Sequence, residues 1–120
     1  MSLNGMRILL VEDEALVAMS VEDMLADLGC EVAASASTID EAFDKAQAGG
    51  FECALLDVSL GGKAVFPVAE MLSERGIPLA FASGYGRAAL PEAFQNYPIV
   101  SKPFQLEDLA AALSTAMANK

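Results

Sequence analysis

Three acidic side chains, a serine and a lysine stand where apolar runs of the chain stop. Glu12 and Asp13 follow MRILLV, Asp57 follows CALL, Ser83 follows PLAFA, and Lys102 follows IVS. Three carboxylates brought within a few ångströms of one another repel and resist full ionisation unless a cation joins them. The single charge of Lys102 is too little for that. Carboxylate oxygens are hard ligands, and the chain has no histidine. The ion this set suits is Mg²⁺, held by one or two carboxylates with waters completing its octahedron. Such an ion also binds phosphoryl oxygens, and a neighbouring carboxylate can serve as nucleophile and form an aspartyl-phosphate. Asp57 would attack. Ser83 would donate a hydrogen bond to one phosphoryl oxygen, Lys102 would pair with another, and backbone N–H groups of the turn at Ser59 would reach the third. Each residue alone has an ordinary use as a cap or turn former. Four strand ends that together carry all five of the right groups point to a site.

The elements that must position these groups alternate along the chain. Met6–Val11 reads as a buried strand, and Val17, Val21, Met24, Leu25 and Leu28 then fall at helical spacing before Gly29. Glu31–Ser35 is a short second strand. Thr38 with Glu41 has the spacing of a capping box for a helix whose apolar face is Ile39, Ala42, Phe43 and Ala46, ended by Gly49-Gly50. The run to Asp57 is the third strand, followed by the Gly61-Gly62 turn and a helix carrying Val65, Val68, Ala69 and Leu72, with Pro67 in its first turn. Pro78–Ala82 is a fourth strand. Arg87–Asn96 predicts a short, weak helix, because Pro91 interrupts it. Ile99–Ser101 is a brief fifth strand, and Leu106, Leu109, Ala110, Leu113 and Met117 line a last helix.

Five strands alternating with five helices predict an α/β fold, a flavodoxin-like doubly wound (βα)5 arrangement with a five-stranded parallel sheet in the order 2-1-3-4-5. In a parallel sheet all five strand-end groups meet at one edge, where ligands of open α/β sheets bind.

Composition narrows the function. A chain of 120 residues holds one domain, expected to run from 6 to 120 after a short tail at 1–5. The formal charge is −10, and it is uneven: residues 1–60 hold twelve acids against Arg7 and Lys45, whereas the second half is balanced. With no basic stripe, nucleic acid is excluded as a direct partner. No apolar stretch is long enough to span a membrane, and the N-terminus lacks the pattern of a signal peptide, so a cytoplasmic location is expected. Cys30 and Cys53 have no metal-spaced partners and are expected as free buried thiols.

LLVEDE (Leu9–Glu14), ALLDVSLGG (Ala54–Gly62), FASGYG (Phe81–Gly86) and VSKPF (Val100–Phe104) resemble, in order and spacing, the receiver domain of bacterial two-component response regulators. FASGYG is similar to the Phe-Ala-Thr-Gly-Tyr-type motif of stand-alone receivers. The resemblance implies that Asp57 accepts a phosphoryl group from a sensor histidine kinase or a histidine phosphotransfer protein in phosphorelay signal transduction. It implies that Glu12, Asp13, Asp57 and the Ser59 backbone carbonyl organise Mg²⁺. Ser83 matches the switch hydroxyl, Lys102 the phosphate-sensing lysine, and Lys102-Pro103 the family's cis peptide. Two departures stand out. Gly61 occupies a position where many receivers have proline, so a more mobile loop is expected there. Ile99 replaces the usual switch aromatic, leaving Tyr85 as the available one. Tyr85 and the Gly84–Pro91 segment are then the expected moving part.

No output domain is expected after the last helix, and the signal is then expected to pass to a separate downstream effector protein, unless the chain belongs to a longer one. Two other readings remain open at this level. One is a phosphorylation-independent docking module with receiver architecture. The other is an enzyme using Asp57 to hydrolyse small phosphomonoesters, which needs an acid or base two residues on, where the chain has Ser59; no enzymatic role is expected.

Overall fold

Successive residues of a strand face opposite sides of a sheet, so the unbroken apolar runs must be covered on both faces. The computed structural model, which describes residues 3–119, realises this with a parallel sheet of β1 (Arg7–Val11), β2 (Glu31–Ala36), β3 (Cys53–Asp57), β6 (Leu79–Ser83) and β7 (Ile99–Ser101). The strand order is β2-β1-β3-β6-β7. The remaining two strands, β4 (Ser59–Leu60) and β5 (Lys63–Ala64), form a separate antiparallel hairpin. Leaving them aside, the order is the expected 2-1-3-4-5, and every sheet strand begins and ends within a residue or two of its predicted bounds.

The sheet divides its side chains into two cores. Leu9, Val11, Leu56 and Phe81 pack on one face with α2 (Ile39–Ala48) and α3 (Phe66–Glu74). Ile8, Leu10, Leu55 and Ala80 pack on the other with α1 (Ala15–Asp27) and α4 (Leu106–Ala118). The first core is aromatic. Phe81 meets Phe66, Phe94 and Tyr97 with ring centroids 5.8, 5.5 and 6.0 Å away. On the outer edge, β2 shifts register against β1 between Ile8 and Leu9, so that Val32 and Ala34 pair while Ala33 is skipped.

A local signal explains the start of α2. The Thr38 hydroxyl accepts the Glu41 N–H at 3.1 Å, as a capping residue should. Glu41 answers one residue further out than a capping box requires, accepting from the Ser37 N–H and hydroxyl. Residues 1 and 2 of the expected tail lie outside the described residues. Leu3 packs on the second core, and the Gly5 N–H donates to the Gly29 carbonyl at 2.7 Å.

The expected fourth helix is where the structure corrects the sequence. Arg87–Asn96 is not an α-helix. It is two 3-10 turns, Gly86–Ala89 and Glu92–Phe94, leaving four α-helices among the described residues. The break is at Leu90-Pro91, both in extended conformation: a proline forces the residue before it out of the helical region and offers no N–H of its own. Arg87 donates to the Gln95 and Tyr97 carbonyls, and the Gln95 amide donates back to the Arg87 and Leu90 carbonyls. Side chains thus do what helical backbone bonds would have done.

Both cysteines are free and buried, as expected. Burial pushes the Cys53 thiol up to about 12, and the thiolate is the reactive form. Cys53 is therefore expected to resist a thiol reagent at pH 8 in the folded protein and to react fully in denaturant. Labelling at the rate of an exposed cysteine would contradict its burial. Among the described residues, no helix is long and apolar enough to cross a membrane.

Candidate functional site

Strands β1, β3, β6 and β7 all run the same way, and each delivers one or two of the predicted groups to a single edge. Glu12 and Asp13 follow β1, Asp57 and Ser83 are the last residues of β3 and β6, and Lys102 follows β7. The carboxylates of Glu12, Asp13 and Asp57 each offer an oxygen within 4.8 Å of the others. Glu12 and Asp57 are only 6% and 9% exposed, whereas Asp13 is exposed. The Lys102 ammonium sits between the two buried ones, 2.7 Å from Glu12 Oε1 and 3.0 Å from Asp57 Oδ2. The Lys102 main chain is anchored beside β6, since its N–H donates to the Ser83 carbonyl at 2.8 Å. The Lys102-Pro103 peptide is cis, as the resemblance implied.

Each carboxylate is also held by a main-chain donor. Glu12 Oε2 accepts the Glu14 N–H at 3.1 Å, Asp13 Oδ2 accepts the Gly61 N–H at 2.8 Å, and the Ser59 N–H approaches Asp57 Oδ1 at 3.4 Å. The Ser83 hydroxyl, buried, accepts the Tyr85 N–H at 3.0 Å. Tyr85 is 87% exposed, and its link to the pocket is this backbone N–H.

Electrostatics follow from these contacts. Burial pushes Glu12 above the ordinary glutamate range, against the opposing hydrogen bond from Lys102. The Gly61 hydrogen bond holds Asp13 below the ordinary aspartate range. Burial alone would lower Lys102, but its bonds to Glu12 and Asp57 hold it above the usual lysine range. Formally, three negative charges face one positive charge, a deficit of two that a divalent cation would match. All the donors are hard oxygens, so the set fits Mg²⁺.

Removing the lysine exposes this imbalance. Lys102→Ala is expected to destabilise metal-free protein by about 1–3 kcal/mol at neutral pH, because two buried carboxylates lose their counter-ion. Glu12 already binds its proton more tightly folded than unfolded, and the variant accentuates this. A carboxyl raised in the folded state makes stability fall as pH rises through its window, so the variant should recover stability on acidification from neutral toward the ordinary carboxylate range. Denaturant melts at several pH values check this; a pH-independent deficit would contradict it.

The Gly61 contact was not foreseen. Its signal was present in SLGGKA, where two glycines separate two-residue strands. Gly61 and Gly62 have φ of 56° and 82°, as a tight two-residue hairpin turn requires. The Gly61-Gly62 turn expected after Asp57 is therefore the tip of a short paired hairpin.

The arrangement has relatives. The transcriptional regulatory protein PdtaR of Mycobacterium tuberculosis is 27% identical over 115 residues, covering 92% of this chain and 56% of PdtaR. This chain thus spans just over half the length of that curated relative. The solution structure of SdrG from Sphingomonas melonis Fr1 superposes with a TM-score of 0.85 at 38% identity, covering 98% of this chain and 99% of that one. The BeF3-activated conformation of SdrG from Pseudomonas melonis Fr1 superposes at 0.79 with 38% identity, covering 92% and 94%. The response regulator receiver domain family matches residues 8–114. With the sheet order and the strand-edge cluster, that match over most of its length means the chain belongs to the receiver domain family of response regulators.

Proposed function

We propose that this chain is a phosphorylation-dependent receiver. Asp57 takes the phosphoryl group of a phosphohistidine on a sensor kinase or phosphotransfer protein, and the change is passed to a separate effector protein. The observation that carries this is Asp57 itself: nearly buried at the end of β3, 3.0 Å from the Lys102 ammonium, with two more carboxylates beside it.

An Asp57 oxygen attacks phosphorus, the P–N bond breaks, and its electron pair returns to the imidazole nitrogen. Glu12, Asp13, Asp57 and the Ser59 carbonyl would hold Mg²⁺, which neutralises charge on the phosphoryl oxygens. Once Asp57 is an acyl phosphate, Lys102 loses one of its two carboxylate partners and turns its charge to a phosphoryl oxygen. The Ser83 hydroxyl, whose oxygen already accepts from Tyr85, donates its proton to another. That new bond pulls on the Tyr85 N–H and so on the 86–97 segment, which is held by the Arg87 and Gln95 side chains rather than by helix.

SdrG has a BeF3-activated conformation, which supports using the same phosphoryl mimic on this chain. Amide NMR is recorded with Mg²⁺ and then with beryllofluoride. Shifts are expected to spread from Asp57 to Ser83, Tyr85 and Lys102, and to vanish in Asp57→Asn. A response to metal with none to beryllofluoride would overturn phosphorylation dependence and favour the docking module.

A further inference from the structure

The 59–64 hairpin has two anchors. At its base Leu60 and Val65 are buried in the aromatic core, and the Val65 N–H donates to the Val58 carbonyl at 2.9 Å. At its tip, where the turn is otherwise exposed, the Gly61 N–H crosses to Asp13 Oδ2 at 2.8 Å. The hairpin also turns the Ser59 N–H toward Asp57. Two of the three clustered carboxylates are therefore faced by amides of one small hairpin, while Lys102 and the Glu14 N–H serve the third.

Asp13 needs such a brace more than its neighbours do. It is the exposed member of the cluster, it lies among like charges, and it has no bond to Lys102. The Gly61 N–H is the strongest of the hydrogen bonds that hold its side chain. A hydrogen bond to one carboxylate oxygen fixes the rotamer and leaves the other oxygen to the cluster. Groups that orient a metal ligand in this way usually alter affinity by 10–100-fold when lost.

We propose that Gly61 is a positioning residue for the cation site. Its amide, presented by the hairpin turn, holds Asp13 in the pocket, so turn geometry and occupancy by Mg²⁺ are linked. The inference rests on the metal-binding part of the proposed function. Linkage is reciprocal: the turn strengthens metal binding, and metal binding strengthens the turn.

The turn geometry can be perturbed without crowding anything, because a Cβ on Gly61 would meet no atom within 4 Å. Only its φ of 56° opposes Gly61→Ala, whereas asparagine tolerates that conformation. Mg²⁺ titrations followed by amide NMR compare wild type, Gly61→Ala and Gly61→Asn, and hydrogen exchange follows the wild-type Gly61 amide. The expected result is about tenfold weaker Mg²⁺ binding in Gly61→Ala, near wild-type binding in Gly61→Asn, and slower exchange of the Gly61 amide with Mg²⁺ present. Equal affinities in all three proteins, Asn no better than Ala, or faster Gly61 exchange with metal would overturn the linkage while leaving the cation site standing. No saturable Mg²⁺ binding by wild type would overturn both.

Discussion

Asp57→Asn is expected to cut covalent phosphoryl uptake from a small phosphodonor by on the order of a thousandfold or more, since loss of a nucleophile removes the reaction path rather than slowing it. The amide has nearly the shape of the carboxylate and still accepts from Lys102, which lies 3.0 Å from Asp57 Oδ2. It also relieves Glu12 and Asp13 of one like charge. Folding stability of the variant in metal-free buffer should therefore match or exceed that of the wild type. Mass spectrometry of protein incubated with acetyl phosphate and Mg²⁺ reads the first effect, and a urea melt reads the second. Undiminished labelling of the variant would move the acceptor to another residue. A large loss of stability would mean that Asp57 serves the fold, contrary to its place in a crowded, charge-deficient pocket.

The second large effect lies in the aromatic core. Phe81 is fully buried in β6 and touches rings from α3 and from the segment carrying Phe94 and Tyr97. Phe81→Ala removes a side chain that the surrounding sheet and helices cannot collapse to replace. It is expected to cost about 3–5 kcal/mol, and roughly 10–20 °C in Tm for a domain of this size. Phe81→Leu keeps most of the volume and should cost well under half as much. The loss should be felt next in the 86–97 segment, whose inward anchors are Phe94 and Leu90, both buried. Exchange protection there should fall before that of β3. A cost below about 1 kcal/mol would show that the cluster is less tightly packed than its ring spacings indicate.

Sequence alone carried the strand edge well, for a physical reason. Apolar runs that end abruptly at Glu12, Asp57, Ser83 and Lys102 mark buried strands, and parallel pairing brings their ends together whatever the details of the loops. The (βα) alternation and strand order followed from the same signal and from resemblance. What lay beyond the sequence depended on the main chain. Pro91 weakened the fourth helix in prospect, but its replacement by turns tied through Arg87 and Gln95 rests on side chain to carbonyl bonds that no periodicity encodes. The Gly61–Asp13 bond joins residues 48 apart, and hairpin geometry had to exist before the amide had a direction. Tyr85 was singled out as the available aromatic, yet its ring lies outside while its N–H is what engages Ser83.

The skipped residue in β2 bears on behaviour in crowded solution. β2, EVAASA, is an outer strand of the sheet, and an edge strand turns one row of its N–H and C=O groups away from its neighbour. A flat strand of that kind is a template for aggregation. The register skips Ala33, and an irregularity of this kind bends and twists a strand, which is expected to hinder pairing with a straight incoming partner. Glu31 adds a charge at its start. The opposite outer strand, β7, is protected differently, by being only three residues long. Straightening the outer edge would leave the acidic pocket untouched and still make that edge a better template for pairing between molecules.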